Sequence, residues 1–216
     1  MKIAKLFFKV APYLFRNHLF VSPLRVTQLN PTLDSEYIIK FPADLSYITN
    51  NELLDIDTNW KSLNDTNKLG NLFCFVTWRG QLVHRSIVQT KGIVQMEGDR
   101  RAFDLATDEF YIHSCYTQSN HRGKGLYTAV LHYILTTYSK SENPAKIFIA
   151  CRQENSSSIH GIQRAGFIYL KSSMIVGILS GMLRIRCWYS KRDMAPGNIE
   201  FSSNVNSGNR EKAQDK

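Results

Sequence analysis

Three stretches of the 216-residue chain predict an α+β fold, in which a central mixed, mostly antiparallel sheet is flanked by helices. Residues 71–79 and 81–90 alternate as the two strands of a hairpin. Residues 109–117 and 146–152 are rich in aromatic and β-branched residues, and an apolar repeat at helical spacing lies between them. Because a helical crossover within one sheet is right-handed, these two strands should be parallel.

The first 25 residues are predicted to be a basic amphipathic segment before a domain of residues 26–192. They contain five Lys or Arg residues and no Asp or Glu. An apolar stripe at helical spacing consists of Ile3, Leu6, Phe7, Val10 and Leu14, opposite Lys2, Lys5, Lys9 and Arg16, with a bend expected at Pro12. Such a helix either packs on its own domain or lies on an anionic membrane surface. The sequence leaves both open, so residues 1–22 are a candidate for peripheral membrane contact.

The remaining elements follow in chain order. Residues 37–41 read as a short strand, and residues 43–63 as one or two helices. Residues 91–107 carry turn signals and charges and receive no assignment. The last strands are expected at residues 167–178 and 182–190, and the polar residues 193–216 as a disordered tail.

Composition limits the classes of function. The formal net charge of +9 is compatible with an acidic ligand, an anionic membrane surface or nucleic acid, but no nucleic-acid recognition motif or stacking platform accompanies it. No nucleic-acid partner is therefore expected. The four cysteines are far apart and each falls in a predicted strand, which favours reduced buried thiols over a metal cluster or disulfides. We expect a cytoplasmic protein without a metal, and attachment to the inner face of the membrane stays open.

The most informative stretch runs from residue 109 to about residue 139. A strand is followed by Arg122-Gly123-Lys124-Gly125 and then by the helical repeat, so two glycines and two cations fall where the helix begins. Unpaired backbone N–H groups and the positive end of the helix dipole converge there, which predicts a phosphate site. A plain strand-to-helix turn with a basic flank is the alternative from these four residues alone.

Two motifs in this order resemble those of the GNAT superfamily of N-acetyltransferases. The family's acetyl-coenzyme A loop, Q/R-x-x-G-x-G/A, is similar to Arg122-Gly123-Lys124-Gly125-Leu126-Tyr127, except that Tyr127 stands where a small residue is usual. Residues 155–167 resemble the family's later helix, which opens on Asn and ends in Gly-Phe. The resemblance covers about residues 37–191 and implies a GNAT-type acyl-CoA N-acyltransferase fold.

The resemblance implies acetyl-coenzyme A as the acyl donor. In the family pattern, backbone groups near the end of the central strand hold the pantetheine arm, loop amides hold the pyrophosphate, and the Asn of the later helix contacts the arm. The corresponding residues here are Cys115, Thr117, Arg122, Gly123, Lys124, Gly125, Leu126, Tyr127 and Asn155. Asn155 has a plain helix cap as its alternative role.

A general base is also needed, because an amine must lose its proton before it attacks a thioester. Glu109 lies 13 residues before Arg122, the spacing at which several family members carry a strand glutamate as base. Strand alternation predicts that Glu109, Tyr111, His113 and Cys115 share one face. His113 is therefore the second candidate, and His84 on the neighbouring hairpin the third.

One family feature is absent. Many members carry a tyrosine in the later helix that protonates the departing thiolate, and Ile162 occupies that position here. A thiol with a pKa near 8.5 can leave without strict acid assistance. The resemblance therefore implies an N-acyltransferase, with a catalytically silent protein that binds coenzyme A or a partner as the alternative.

The acceptor is expected to be a small-molecule amine such as that of an amino sugar. A basic, aromatic segment before such a domain is similar to GNAT proteins associated with bacterial surface-polysaccharide biosynthesis. A protein N-terminus, a lysine or a polyamine also stays open as the acceptor, although the positive charge disfavours a polycationic acceptor. A homodimer stays open as the oligomeric state.

Overall fold

The computed structural model describes residues 13–23, 33–41, 71–139, 146–178 and 183–189. The predicted helices at residues 43–63, the predicted tail at residues 193–216 and the start of the amphipathic segment lie outside these ranges. The strands are β1 (Tyr13–Val21), β2 (Tyr37–Lys40), β3 (Asn71–Trp78), β4 (Gln81–Gln89), β5 (Gly92–Met96), β6 (Asp99–Leu105), β7 (Glu109–Thr117), β8 (Lys146–Arg152), β9 (Ile168–Ile178) and β10 (Leu183–Tyr189). The helices are α1 (Leu126–Ser139) and α2 (Ser156–Arg164).

Eight of these strands form one mixed sheet in the order β10-β9-β1-β8-β7-β4-β3-β2. The β7–β8 pair is parallel, as predicted for strands joined by a helical crossover, and the other described pairs are antiparallel. The hairpin of β3 and β4 turns at Arg79 and Gly80, which both have positive φ. The predicted mixed, mostly antiparallel sheet is thus confirmed.

The two helices cover one face of the sheet. Leu131, Ile134 and Leu135 of α1 are fully buried against sheet residues such as Ile112 and Ile149. Asn155 caps α2 by accepting a hydrogen bond from the N–H of Ser158 at 3.1 Å, and Gly166 follows the helix with φ of 102°. Both helix boundaries agree with the sequence analysis, because they depend on local capping residues.

A second hairpin, β5–β6, covers the opposite face. Its residues Val94, Met96 and Ala102 pack on Leu19, Tyr111 and Phe148 of the sheet. Arg186 of β10 fixes its position, because the guanidinium lies 2.7 Å from the Asp99 carboxylate and also donates to the carbonyls of Arg101 and Ala102. Residues 91–107 received no prediction, although Gly98, with φ of 77°, marks the turn.

The prediction of an amphipathic helix is wrong for the described part of the N-terminal segment. Residues 13–21 form β1, which lies inside the sheet and pairs with both β8 and β9. Leu19 faces the hairpin and Phe20 faces the helices, so this strand is apolar on both faces. The predicted boundary at residue 25 therefore falls after a strand of the same sheet. Of the proposed stripe, Leu14 lies in β1 and the other members lie outside the described residues.

Candidate active site

A β-bulge divides β7 at Ser114. Ser114 has φ of 49°, and the register between β4 and β7 shifts there, so that Ser86 faces two residues of β7. The bulge turns Cys115 and Thr117 toward the helices, whereas Tyr111 and His113 face the hairpin. The predicted common face of Glu109, Tyr111, His113 and Cys115 is therefore wrong for Cys115. Simple alternation fails because one extra residue reverses every later side chain.

A gap between β7 and β8 begins at the same level. The two strands pair from Glu109 to Ile112, opposite residues 146–149, and the described pairing ends there. Beyond this point the end of β8 pairs only with β1 on its other side. The last residues of β7 thus have β4 on one edge and none of the described strands on the other, so their main-chain groups on that edge are available to a ligand.

The loop after β7 leads directly into α1. Gly123 and Gly125 both have φ of 76°, a conformation that side chains disfavour, and an added Cβ at either would meet no atom within 4 Å. The first N–H groups of α1 have no partner within the helix, and the residues that carry them line this space. Two glycines thus leave the room in which a charged group can approach the helix start closely.

The first cavity, with a volume of about 540 Å³, lies over this helix start. Its lining combines the end of β7, the loop, the start of α1 and one side of α2, and among the described residues it contains Arg122 and Arg164 but no Asp or Glu. A cavity with two arginines, a helix start and no carboxylate is suited to an anionic ligand such as a diphosphate.

Most of the predicted cofactor-binding residues are brought together here. The lining includes Cys115, Thr117, Arg122, Gly123, Gly125, Leu126, Tyr127 and Asn155. Lys124 is exposed and does not line the cavity. Arg122 donates through Nε to the Thr117 carbonyl at 3.0 Å, which holds the loop against the strand. Asn155 Oδ1 is engaged as the helix cap, as its alternative role predicted.

A chain of buried polar groups lies beneath this cavity. His84 Nδ1 is 2.7 Å from Thr117 Oγ1, His84 Nε2 is 2.9 Å from Ser86 Oγ, and Ser86 donates to Cys115 Sγ at 3.2 Å. Burial, with a smaller contribution from Arg85, lowers the pKa of His84 to about 3. His84 is therefore neutral and fully enclosed, and its contacts give it a positioning role for the end of β7.

Tyr127 occupies the space between the two helices. Its ring lies so close to Gly161 of α2 that a Cβ there would be 2.6 Å from the ring. Burial raises the pKa of Tyr127 well above its ordinary value, and the phenol interacts with Cys115. Ile162, in the position where the family carries a tyrosine, is fully buried in the core. The phenol at this cavity thus comes from α1 instead of α2.

A second cavity, of about 970 Å³, lies on the opposite face of the sheet under the β5–β6 hairpin. His113 and Ser114 of β7 line it, immediately before Cys115, which lines the first cavity. The other lining residues are Asn17, Asn71, Gln89, Lys91, Gly92, Ile93, Gln95, Met96, Glu97, Tyr111, Ala150, Cys151 and Arg152. Consecutive residues of β7, beside the gap, therefore serve two cavities on two faces.

The two predicted bases have different positions. His113 lines the second cavity, and burial, with a smaller contribution from Arg85, lowers its pKa to about 4. Glu109 begins β7, 3.3 Å from Lys146 Nζ, and lines neither described cavity. Six residues of strand separate it from Cys115, which is about 20 Å. The structure thus brings His113, and not Glu109, to the gap.

Several lining residues were missed by the sequence analysis. In the first cavity these are Ser157, Ser158, His160 and Arg164, which follow Asn155 on one side of α2. Their spacing along the helix was a signal that could have found them. In the second cavity Asn17, Asn71 and Arg152 come from strands far apart in the chain, and no local pattern connects them.

The cysteines and the other metal-ligating side chains do not form a further site in the described ranges. All four cysteines are free, and each lies in a strand as predicted. Within the described ranges, no group of three His, Cys, Asp or Glu side chains is placed to hold a metal ion. No described helix combines the length and apolar character required to span a bilayer.

Known proteins are similar to this chain in fold. An acetyltransferase from the GNAT family from Colwellia psychrerythraea aligns with a TM-score of 0.53 and 11% identity, over 82% of this chain and 60% of its own. A GCN5-related N-acetyltransferase from Sphaerobacter thermophilus aligns with a TM-score of 0.56 and 12% identity, over 82% of this chain and 56% of its own. The chain thus corresponds to less than two thirds of each structure's length.

Similarity in sequence covers a shorter part of the chain than similarity in fold. No curated protein is significantly similar to the chain. Residues 85–167 match the model of the acetyltransferase (GNAT) family, a range from β4 to the end of α2 that includes the bulge, the loop and the first cavity. The chain therefore has the GNAT fold, and residues 85–167 are similar to the acetyltransferase (GNAT) family.

Proposed function

We propose that the protein is an N-acetyltransferase that transfers an acetyl group from acetyl-coenzyme A to a primary amine of a small molecule such as an amino sugar. The observation that carries this proposal is the placement of two cavities on opposite faces of β7, lined by consecutive residues beside the β7–β8 gap. A donor in one cavity and an acceptor in the other would be held within reach of each other, which is the main requirement of a two-substrate transfer.

The first cavity fits coenzyme A on its own chemistry. In the part of the chain that the structure describes, its lining has no carboxylate, and Gly123 and Gly125 leave the helix start open to a diphosphate. The N–H groups at the start of α1, Arg122 and Arg164 would bind the diphosphate charge. The unpaired edge of β7 at Cys115–Thr117 would hold the pantetheine arm through main-chain hydrogen bonds. When bound, acetyl-coenzyme A supplies the thioester carbonyl.

Proton transfer is assigned to one residue on each side of the gap. His113 is neutral above about pH 4 and so has a free lone pair to accept a proton from the amine. Tyr127 keeps its proton because burial raises its pKa, and it lines the donor cavity. It is the donor that we propose for the departing thiolate in place of Ile162.

The location is also a proposal. Four free thiols support a reducing compartment, and we propose that the protein acts in the cytoplasm. Membrane attachment through residues 1–22 stays a prediction. Flotation of the intact protein with anionic vesicles at low and high salt tests it, and no flotation at low salt would contradict it.

The test of the donor site is Gly125→Val with calorimetry of coenzyme A binding. Valine at a φ of 76° is strained and would displace the diphosphate, so affinity should fall about 100-fold, as two charge-assisted hydrogen bonds of about 1.5 kcal/mol each are lost. Gly80→Val is the matched control, since Gly80 has φ of 81° and the same open surroundings in a distant turn.

Unchanged coenzyme A affinity in a folded Gly125→Val protein would overturn the assignment of the loop. The reaction itself is tested by free-thiol release from acetyl-coenzyme A with amino sugars, polyamines and peptides as acceptors. Normal coenzyme A binding without amine-dependent thiol release would favour the alternative of a catalytically silent binding protein.

A further inference from the structure

The second cavity is lined by charges of both signs. Among the residues that the structure describes, its lining contains Lys91 and Arg152 against a single carboxylate, Glu97. Glu97 Oε2 lies 3.0 Å from Arg152 Nε, so these two charges offset each other. Lys91 then leaves the described lining net positive. Arg85 adds to this potential, because its charge contributes to the lowered pKa of His113 at the cavity floor.

A buried amide at the far side of the cavity points to a ligand. Asn71 lines the cavity and is 6% exposed, and its Oδ1 has no hydrogen-bond partner among the described residues. A buried polar atom without a partner is unfavourable, so native proteins rarely retain one without a reason. An N–H or O–H group of a bound molecule would satisfy this oxygen.

The spacing of these groups sets the size of that molecule. Asn71 pairs with Gln89, and Gln89 pairs with Tyr111, so three adjacent strands carry them in one row. Strands lie about 4.8 Å apart, which puts Asn71 about 10 Å from β7. A ligand that reaches both Asn71 and His113 is therefore as long as a phosphorylated monosaccharide or a dipeptide.

We propose that this cavity binds an amine acceptor that also carries an anionic group, either a carboxylate or a phosphate. Lys91 pairs with the anion, Asn71 accepts a hydrogen bond from the ligand, and the amine lies at His113 beside the gap. This inference rests on the proposed acyl transfer and narrows its acceptor. A polyamine brings positive charge alone and is disfavoured in the same cavity.

The experiment compares initial rates with acetyl-coenzyme A for acceptors that differ in charge. The matched pairs are glucosamine 6-phosphate with glucosamine, and dialanine with its C-terminal amide, with spermidine as the cationic acceptor. We expect kcat/KM at least about tenfold higher for the anionic member of one pair, and which pair responds distinguishes phosphate from carboxylate. Lys91→Glu should abolish that preference. Lys40→Glu, on the edge strand β2 and outside the lining of this cavity, changes the net charge equally and should leave the preference intact.

Asn71→Leu separates ligand binding from a structural role. Removing an unsatisfied buried oxygen should leave the melting temperature unchanged or higher, whereas KM for the acceptor should rise. Preference for the uncharged or cationic acceptors, or an unchanged preference in Lys91→Glu, would overturn the proposal. Normal coenzyme A binding with no panel amine acetylated would also overturn it. If the unmodified protein does not bind coenzyme A, the proposed function itself would be overturned.

Discussion

The two ends of β7 differ in what surrounds them, although they belong to one strand. Tyr111 and Ile112 have a strand on each side, and Glu109 at the start of β7 pairs with Lys146 of β8. Residues 113–117 lie beyond the end of the β8 pairing and beside both cavities. The closed end therefore has its main-chain groups satisfied by neighbours, whereas the open end keeps groups for ligands. The change occurs within one or two residues, at Ser114.

Substituting each of the two candidate bases separately should give the largest difference between the two ends. His113→Ala at the open end should lower kcat about 10²- to 10⁴-fold, the usual contribution of a general base. Glu109→Gln at the closed end should change kcat little, because it affects only an ion pair with Lys146 and a hydrogen bond from the Ala106 N–H, both away from the two cavities. The measurement is steady-state kinetics with the best acceptor found.

The pH profile of the same enzyme adds a second readout. His113 has a pKa of about 4, so its activity as a base should persist down to that pH, without a drop near 6.5. A fall in kcat for Glu109→Gln as large as for His113→Ala would break the distinction between the two ends.

The buried polar groups of the open end should make folding sensitive to acid. The pKa of His84 is lowered to about 3, below the ordinary value of about 6.5, so the unfolded chain takes up a proton first as the pH falls. The contribution of His84 to the free energy of unfolding is therefore fully present above pH 6.5 and is lost as the pH falls. At about 1.4 kcal/mol per pKa unit, the loss is on the order of 3 kcal/mol by pH 4. His113, with a pKa of about 4, adds in the same direction.

Chemical denaturation between pH 8 and pH 4 checks this dependence. His84→Gln should be less stable than the unmodified protein at pH 8, since its hydrogen bonds change, yet should lose less stability on acidification. His160→Gln is the control, because His160 is exposed on α2. The same loss in His84→Gln as in the unmodified chain would mean that this imidazole is not the cause.

The bulge itself should give the smallest effect. Ser114 has φ of 49°, where a β-branched side chain is strained, so Ser114→Ile should lower the free energy of unfolding by about 1 to 2 kcal/mol. Ser114→Gly keeps the conformation without a Cβ and should be neutral or slightly stabilising. Equal stability of the two variants in urea would indicate that this backbone conformation is not required.

Local signals explain what could be predicted from the sequence. Asn155 and Gly166 bound α2, and two glycines mark the start of α1, because caps and tight turns depend on a few adjacent residues. The bulge has no such signal, since serine is an ordinary strand residue and the shift depends on pairing with β4. Prediction therefore located Cys115 in the right strand and on the wrong face.

The sequence did not predict the N-terminal strand or the second cavity, for a related reason. Leu14, Phe15, Leu19 and Phe20 are compatible with a helix or a strand, and the pairing with β8 and β9 decides between them. The cavity combines Asn17, Asn71 and Arg152, which only the tertiary fold brings together. Long-range pairing thus determined the features that local patterns left open.

The position of β1 in the sheet has a consequence for biosynthesis. His18 Nδ1 of β1 lies 2.6 Å from Ser172 Oγ of β9, a contact between residues that are 154 positions apart in the chain. A ribosome releases β1 long before it has made β8 and β9, so this apolar strand waits without either partner while most of the chain emerges. Non-local pairing of this kind slows folding and exposes strand edges to aggregation. The nascent chain should therefore depend on chaperones until its last strands are complete, even though its native sheet leaves β1 enclosed on both sides.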